Sequence, residues 1–246
     1  MSTRQNTHSG HGKCVSEEFV AHLVHDLKSP AISIGGYARR MLSGRCGPLS
    51  SDQRHALEII VENCTRLEQD LENILEHFRG EQDLESSSSR KHVELCALLR
   101  SVVENFAVVA ENKDIDLCFD LPDTPLEIMA NERQVEQSIA NLITNAIKYT
   151  PEGGSVTVSA RAEGDSALIR VQDTGKGFPE ERIEQLFQPF EKVLGIEDRE
   201  LRGVGLGLSN VRAYVKGHGG EIKVESQEGK GSAFTIHLPR SLPPHS

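Results

Sequence analysis

Asn141-Leu-Ile-Thr-Asn145-Ala-Ile-Lys148-Tyr149, followed by Asp173-Thr-Gly175-Lys-Gly177 and Gly203-Val-Gly205-Leu206-Gly207-Leu208, is the part of the sequence that decides the fold. Asn141, Asn145 and Lys148 recur at i, i+4 and i+7 and so share one helix face. Val135, Ile139, Leu142, Ala146 and Ile147 make the opposite face, which anchors that helix to a sheet. A stripe of two amides and an ammonium suits a hydrated cation bridging phosphates, because hard cations take oxygen ligands. The apolar run 167–171 predicts a strand that delivers Asp173 at its end. A carboxylate there accepts from an exocyclic amine such as that of adenine, whereas guanine presents a carbonyl at that edge. Gly175 and Gly177 let the backbone pass close to the base. The third motif runs straight into a predicted helix from Leu208, and backbone N–H groups at a helix start form a phosphate site. A glycine cluster alone is usually a turn. Three motifs in this order, starting about 30 residues apart, are a specific signal.

Upstream, a helix is predicted from Ser16, an N-cap residue type, with Glu17 and Glu18 at its positive end. Val20, Leu23, Leu27, Ala31, Ile34, Ala38 and Met41 keep a repeat of about 3.5 residues, the pattern of a bundle seam. His25 points away from that stripe, into solvent. Pro30 inside the helix predicts a kink and costs roughly 3 kcal/mol unless packing compensates. The segment 44–51 breaks the helix, and Ser51 or Asp52 is the expected cap of the next one. That helix carries Leu57, Val61, Cys64, Leu67 or Leu71, Ile74, Leu75 and Phe78 on one side. A lone hairpin leaves its seam open; two form a four-helix bundle, so a homodimer is expected.

The expected organisation is a disordered stub over 1–15, a hairpin over 16–79, a linker over 80–91 containing Ser86 to Ser89, an α/β domain over 92–240 and a tail over 241–246. In the α/β domain, helices are predicted over 93–111, 131–149, 179–190 and up to His218. Strands are predicted over 115–120, 127–130, 155–162, 167–172, 221–226 and 232–238. They make an α/β sandwich: one mixed sheet with helices on one face.

A chain of 246 residues can bury a proper core. Its formal net charge of -10 speaks against nucleic acid as a partner, since counterion release needs clustered Lys and Arg. No apolar run approaches the length of a membrane span, and no signal-peptide pattern opens the chain, so a cytoplasmic location is expected. The five cysteines are scattered without a Cys-x-x-Cys, which argues against a disulfide framework or a zinc site. The P-loop signature is absent.

With these motifs in place, the stretch from about 16 to 239 resembles the catalytic core of bacterial sensor histidine kinases. The ATP-binding domain of that family belongs to the GHKL superfamily, with gyrase and MutL (a Bergerat-type fold). His25-Asp26-Leu27-Lys28-Ser29-Pro30 resembles the family's phosphoacceptor box. The resemblance implies that His25 attacks the γ-phosphate of ATP and later passes the phosphoryl group to an Asp of a response-regulator receiver domain. Imidazole titrates near pH 6.5, so it is largely a neutral nucleophile at pH 7. Asp26 can accept the Nδ1 proton, leaving Nε2 free to attack. Ser29 stands where phosphatase-competent relatives usually carry Thr or Asn, which leaves that second activity open.

By the same resemblance Asn145 is the Mg2+ ligand, with Asn141 and Lys148 adding contacts to phosphate or metal-bound water. Tyr149 either stacks on the purine or packs. Phe187 and Phe190 resemble the aromatic pair that roots an ATP lid. Arg199 and Arg202 either reach the γ-phosphate or are solvated. Gly203, Gly205, Leu206, Gly207 and Leu208 form the phosphate loop. ATP and Mg2+ are thus expected, with an upstream sensor domain or partner supplying the stimulus. The other classes in play are a catalytically silent ATP-binding scaffold and a GHKL serine kinase or ATPase.

Overall fold

The computed structural model describes residues 17–83, 90–189 and 205–241, and side chains within them except 17–18 and 76–83. The chain divides into two compact units, Met1–Leu75 and Glu76–Ser246.

The first unit is a helical hairpin of α1 (Glu17–Leu42) and α2 (Ser51–Asp83, which runs on past the boundary). α1 continues as helix through Pro30. Ser50, not Ser51 or Asp52, starts α2: its hydroxyl accepts from the Gln53 N–H (3.2 Å), while the Gln53 side chain accepts from the Ser50 N–H (3.0 Å). This reciprocal pair is a capping box, which satisfies two N-terminal donors at once.

The expected α1 seam is in fact two adjacent faces. Val20, Val24, Ala31, Gly35 and Ala38 are buried within the hairpin. On α2 they meet a face with Leu57, Cys64, Leu71 and Leu75 buried. A Cβ on Gly35 would lie 3.1 Å from the Cys64 Cβ, so the missing side chain allows the close approach. Leu23, Leu27, Ile34 and Met41, the other half of the seam, stay exposed in the single chain, as do Ile60 and Leu67 of α2. A 3.5-residue pattern could not separate the two because both faces are apolar and contiguous.

The second unit contains β1 (Lys91–Glu94), α3 (Leu95–Asn112), β2 (Asp116–Asp120), β3 (Glu127–Ala130), α4 (Glu132–Tyr149), β4 (Ser155–Glu163), β5 (Ser166–Asp173), α5 (Ile183–Leu186, after a 3-10 turn), α6 (Gly207–Gly217), β6 (Glu221–Gln227) and β7 (Gly231–Pro239). Five strands form one mixed sheet in the order β2-β4-β5-β7-β6, with β2 parallel to β4 and every other pair antiparallel. On β4, Val156, Val158 and Ala160 are buried beneath the helices while Thr157 and Ser159 are half-exposed, so the period-2 alternation faces one side inward. Ile139, Leu142 and Ile143 of α4 join Val156, Val158, Ile169 and Ile236 in the core, all essentially inaccessible. Each such side chain contributes about 1.5–3 kcal/mol by leaving water.

Three sequence expectations change here. β3 does not join the main sheet; it pairs with β1 in a separate two-stranded ribbon, a strand the sequence pattern did not show. The helix expected from Val93 therefore begins at Leu95. Glu94 caps it, accepting from the Cys96 (3.1 Å), Ala97 (2.7 Å) and Leu126 (3.2 Å) N–H groups. Burial pushes the Glu94 carboxyl up, but these donors outweigh it and hold it below its ordinary value. Glu is not among the favoured cap residues, which is why composition hid this boundary. The helix expected over 179–190 shrinks to a 3-10 turn and the four residues of α5; Phe190 lies outside the described residues.

His218 ties α6 to α4. Its Nδ1–H donates to the Tyr214 carbonyl (2.7 Å) and its Nε2 accepts from the Asn131 N–H (3.0 Å), at the α4 N-cap. Arg90 donates to the neighbouring Gly217 carbonyl. Burial lowers the His218 pKa, the Tyr214 bond opposes this, and Arg90 lowers it further. Folding thus favours neutral imidazole. The contribution is complete above the unfolded value of about 6.5 and declines as pH falls below it, when the unfolded chain takes up the proton first. Thermal unfolding from pH 7.5 to 5.5 should show this decline, and His218→Gln should flatten it while costing about 1 kcal/mol at pH 7.5.

Candidate active site: a nucleotide cavity and an exposed histidine

A cavity opens between α4, the segment after β5, the start of α6 and β7. Asn145, Tyr149, Asp173, Gly177 and Leu208, all anticipated from sequence, line it together with Leu142, Ala146, Lys176, Phe178, Ser232 and Phe234. α4 delivers its residues because the apolar half of the same helix is sunk in the core. Leu142, Ala146, Phe178, Leu208 and Phe234 make much of the lining apolar, with a few polar groups among them, as in small-ligand sites generally.

Asp173 is buried and held tightly. Oδ1 accepts from the Gly175 N–H (2.8 Å) and the Ser232 N–H (3.2 Å), and Oδ2 accepts from the Ser232 hydroxyl (2.5 Å). An ionised carboxylate offers about four acceptor positions, so Oδ2 keeps capacity for one more donor. The glycines make this packing possible. A Cβ on Gly175 would come within 2.6 Å of the Tyr149 carbonyl and 2.7 Å of Asp173 Oδ1. Gly177 has φ +58° and lies against the Gln227 carbonyl; Gly231 has φ +102° and lies against that of Asp173. Ser232 and its glycine were missed because 228–231 reads as an ordinary hairpin turn. The available signal was a further Gly-x-Gly, at 229–231, one residue before a hydroxyl.

Asn141 lies beside the cavity, not in its wall. Its side-chain oxygen would be 3.3 Å from a Cβ on Gly207, and its buried Nδ2 donor has no hydrogen-bond partner. An orphaned buried donor costs about 1–3 kcal/mol, and a bound acceptor would relieve it. Leu206 is the N-cap residue of α6 and caps it with no side-chain bond. Gly205 holds φ +78° just before it. Lys148 places its ammonium 5.3 Å from the Tyr149 ring centroid. Burial raises the Tyr149 pKa, so its phenol stays protonated. Arg199, Arg202 and Gly203 lie outside the described residues. Phe187 is buried, with the Arg212 guanidinium 5.2 Å from its ring centroid. Asn145, Asn141 and Gly207 fit a magnesium-bound triphosphate: amide oxygens are hard ligands, and Mg2+ keeps several waters. Among the described residues no group of three or more His, Cys, Asp or Glu could hold a metal by itself.

His25, Asp26 and Ser29 belong to the hairpin unit. The His25 side chain is 82% exposed, and its Nδ1 lies 3.5 Å from Asp26 Oδ1. Ser29 is exposed one turn later on the same face. Among the described residues no helix is long and apolar enough to cross a membrane.

Residues 130–242 match the family of histidine kinase-, DNA gyrase B- and HSP90-like ATPases, and residues 16–83 match the His Kinase A (phospho-acceptor) domain. The chain is a sensor histidine kinase catalytic core. It is 34% identical over 226 residues to the histidine protein kinase DivJ of Caulobacter vibrioides, covering 92% of this chain and 38% of DivJ. It is 30% identical to the sensor histidine kinase WalK of Bacillus subtilis, covering 90% of this chain and 36% of WalK. The kinase core thus spans little more than a third of the length of these relatives. Among solved structures, full-length ShkA in complex with AMPPNP superposes with a TM-score of 0.73 at 26% identity, over 94% of this chain and 48% of that one. The histidine kinase ThkA in complex with the response regulator TrrA gives 0.64 at 25%, over 94% and 64%.

The glycine contacts predict unequal costs. Gly177→Ala should destabilise the kinase core by about 1–3 kcal/mol in urea unfolding, combining strain with the carbonyl clash. Gly153→Ala, at φ +77° with nothing within 4 Å, should cost only the left-handed penalty of about 1–2 kcal/mol and should be the milder of the two.

Proposed function

We propose that the kinase core uses Mg-ATP to phosphorylate its own His25 and then hands the phosphoryl group to an aspartate of a separate response-regulator receiver domain. One observation carries this reading: residues from all three sequence motifs, with Leu208 from the third, line a single cavity with Asp173, in a chain that also presents an outward histidine. The remaining acceptor position on Asp173 Oδ2 suits the exocyclic amine of adenine, and Ser232 holds that carboxylate in place. Leu142, Phe178 and Phe234 supply the apolar surface for a purine, with Tyr149 at its edge.

Asn145 is the residue that would ligate Mg2+ through its amide oxygen, and the bound ion would neutralise phosphate charge and fix the triphosphate. Asn141, Lys148 and the α6 N–H groups would contact phosphate oxygens or metal-bound water, and Arg202, outside the described residues, would reach the γ-phosphate. In the transfer, Nε2 of His25 forms the N–P bond as the bond from the γ-phosphorus to the bridging oxygen breaks and ADP leaves. The Nδ1 proton goes to Asp26, whose carboxylate is beside it. Such transfer depends mainly on positioning and charge neutralisation. Ser29 is available to orient a water that would hydrolyse the phosphoaspartate of the partner receiver domain.

The exposed apolar half of the α1 seam supports a homodimer, closing a four-helix bundle with a second copy. The stimulus comes from a sensor domain or partner, and the chemistry takes place in the cytoplasm.

His25→Ala should abolish acid-labile phosphate incorporation from labelled ATP while Mg-ATP still binds; persistent acid-labile label would refute the assignment, and acid-stable label would point to a serine kinase. In titration calorimetry, Asn145→Ala should weaken Mg-ATP by about 1.5–3 kcal/mol, on the order of 10- to 100-fold. Leu27→Glu should halve the mass seen in sedimentation, because it places a charge in the proposed seam.

A further inference from the structure

The last turn of α4 carries Lys148 and Tyr149, and its carbonyl groups should lack intrahelical partners. Every one from Ala146 to Thr150 is nevertheless satisfied. Ala146 O accepts from the Thr150 N–H (3.0 Å) and hydroxyl (2.6 Å), and Tyr149 O accepts from the Lys176 N–H (3.3 Å). The other three converge on one side chain. Lys113 Nζ donates to Ile147 O at 2.6 Å, Lys148 O at 2.9 Å and Thr150 O at 2.9 Å. All three ammonium protons are thereby used.

This lysine comes from the end of a different helix, and the surrounding backbone is shaped to present it. Lys113 is the C-cap residue of α3. The next residue, Asp114, holds φ +52°, the one non-glycine with positive φ among the described residues. That strained turn docks on the loop after α4: the Gly153 N–H donates to Asp114 O (2.7 Å), and the Asp116 N–H donates to Gly154 O (2.9 Å). A left-handed aspartate costs about 1–2 kcal/mol, so the local conformation persists only because its surroundings impose it. The ammonium also meets the negative end of the α4 dipole.

We propose that Lys113 is a positioning residue for the nucleotide. It touches neither ATP nor Mg2+; it fixes the α4 terminus, and through it the orientation of Lys148 and Tyr149 and the Tyr149 carbonyl that receives Lys176. The inference rests on the ATP-site reading above. Burial lowers the Lys113 pKa, Glu152 opposes this, and Lys176 in the cavity wall adds to the lowering. The ammonium is thus electrostatically coupled to a residue that lines the site.

The test is titration calorimetry of the whole chain with Mg-ATP, at a temperature well below unfolding. Lys113→Met should raise Kd by about tenfold or more, as small misplacements at a site do, and Lys113→Arg should recover part of the loss. Leu95→Ala, in the core beside β1, should lower Tm yet keep wild-type affinity, which separates positioning from general destabilisation. Wild-type affinity in Lys113→Met, or a loss equal to that of Leu95→Ala at the same Tm, overturns the proposal. Should Lys113→Met not fold, the unmodified protein decides. Its Lys113 ammonium protons should exchange slowly by NMR and shift on adding Mg-ATP, and exchange as fast as that of surface lysines overturns the proposal. A wild-type chain that does not bind Mg-ATP would instead remove the ATP-site reading itself.

Discussion

Everything at the nucleotide cavity depends on α4 being held at three places: along its buried side and at both ends. Ile139, Leu142, Ile143 and Ala146 are sunk into the core above β4 and β5. Asn131 caps the N-terminus and its N–H is bound by His218; the C-terminal carbonyls are gathered by Lys113. Apolar burial alone is non-directional and would allow the helix to slide or rotate. The polar contacts at the two ends are directional, and they decide where Asn145 and Tyr149 stand. Several kcal/mol of packing thus become useful to chemistry only through a few hydrogen bonds worth about 1 kcal/mol each.

The opposite wall follows a different logic. Asp173 is a buried carboxylate that has no basic side chain bonded to it among the described residues; backbone N–H groups and a serine hydroxyl satisfy it. That requires main chain to come closer than any Cβ permits, and glycines stand at 175, 177 and 231 for that reason. The three hydrogen bonds hold the carboxylate in place, which suits a ligand with a donor at a fixed position.

In the hairpin the division of labour lies around the circumference of α1. One apolar face closes on α2, a second is left exposed, and His25 occupies neither. The Lys28–Glu72 bond of 2.5 Å crosses between the helices. Gly35 against Cys64 sets how close they come.

The three motifs, the strand before Asp173, the amphipathic α4 and the outward His25 were all legible in the residue order, because each depends on local periodicity or on glycine's freedom of backbone. The same order misplaced the start of α3, hid β1 and β3 as a separate ribbon, and merged two faces of α1 into one seam. It also gave no sign of Ser232 beside Asp173 or of Lys113 beneath α4. Those partners are separated by 59 residues in one case and by 34 to 37 in the other, and no local pattern encodes a contact between side chains so far apart. What the sequence determined alone was which groups are present and which side of each helix or strand they occupy. Which of them meet was decided only when the sheet brought distant ends together, because hydrogen bonds act over about 3 Å and the chain reaches that proximity only through its tertiary fold.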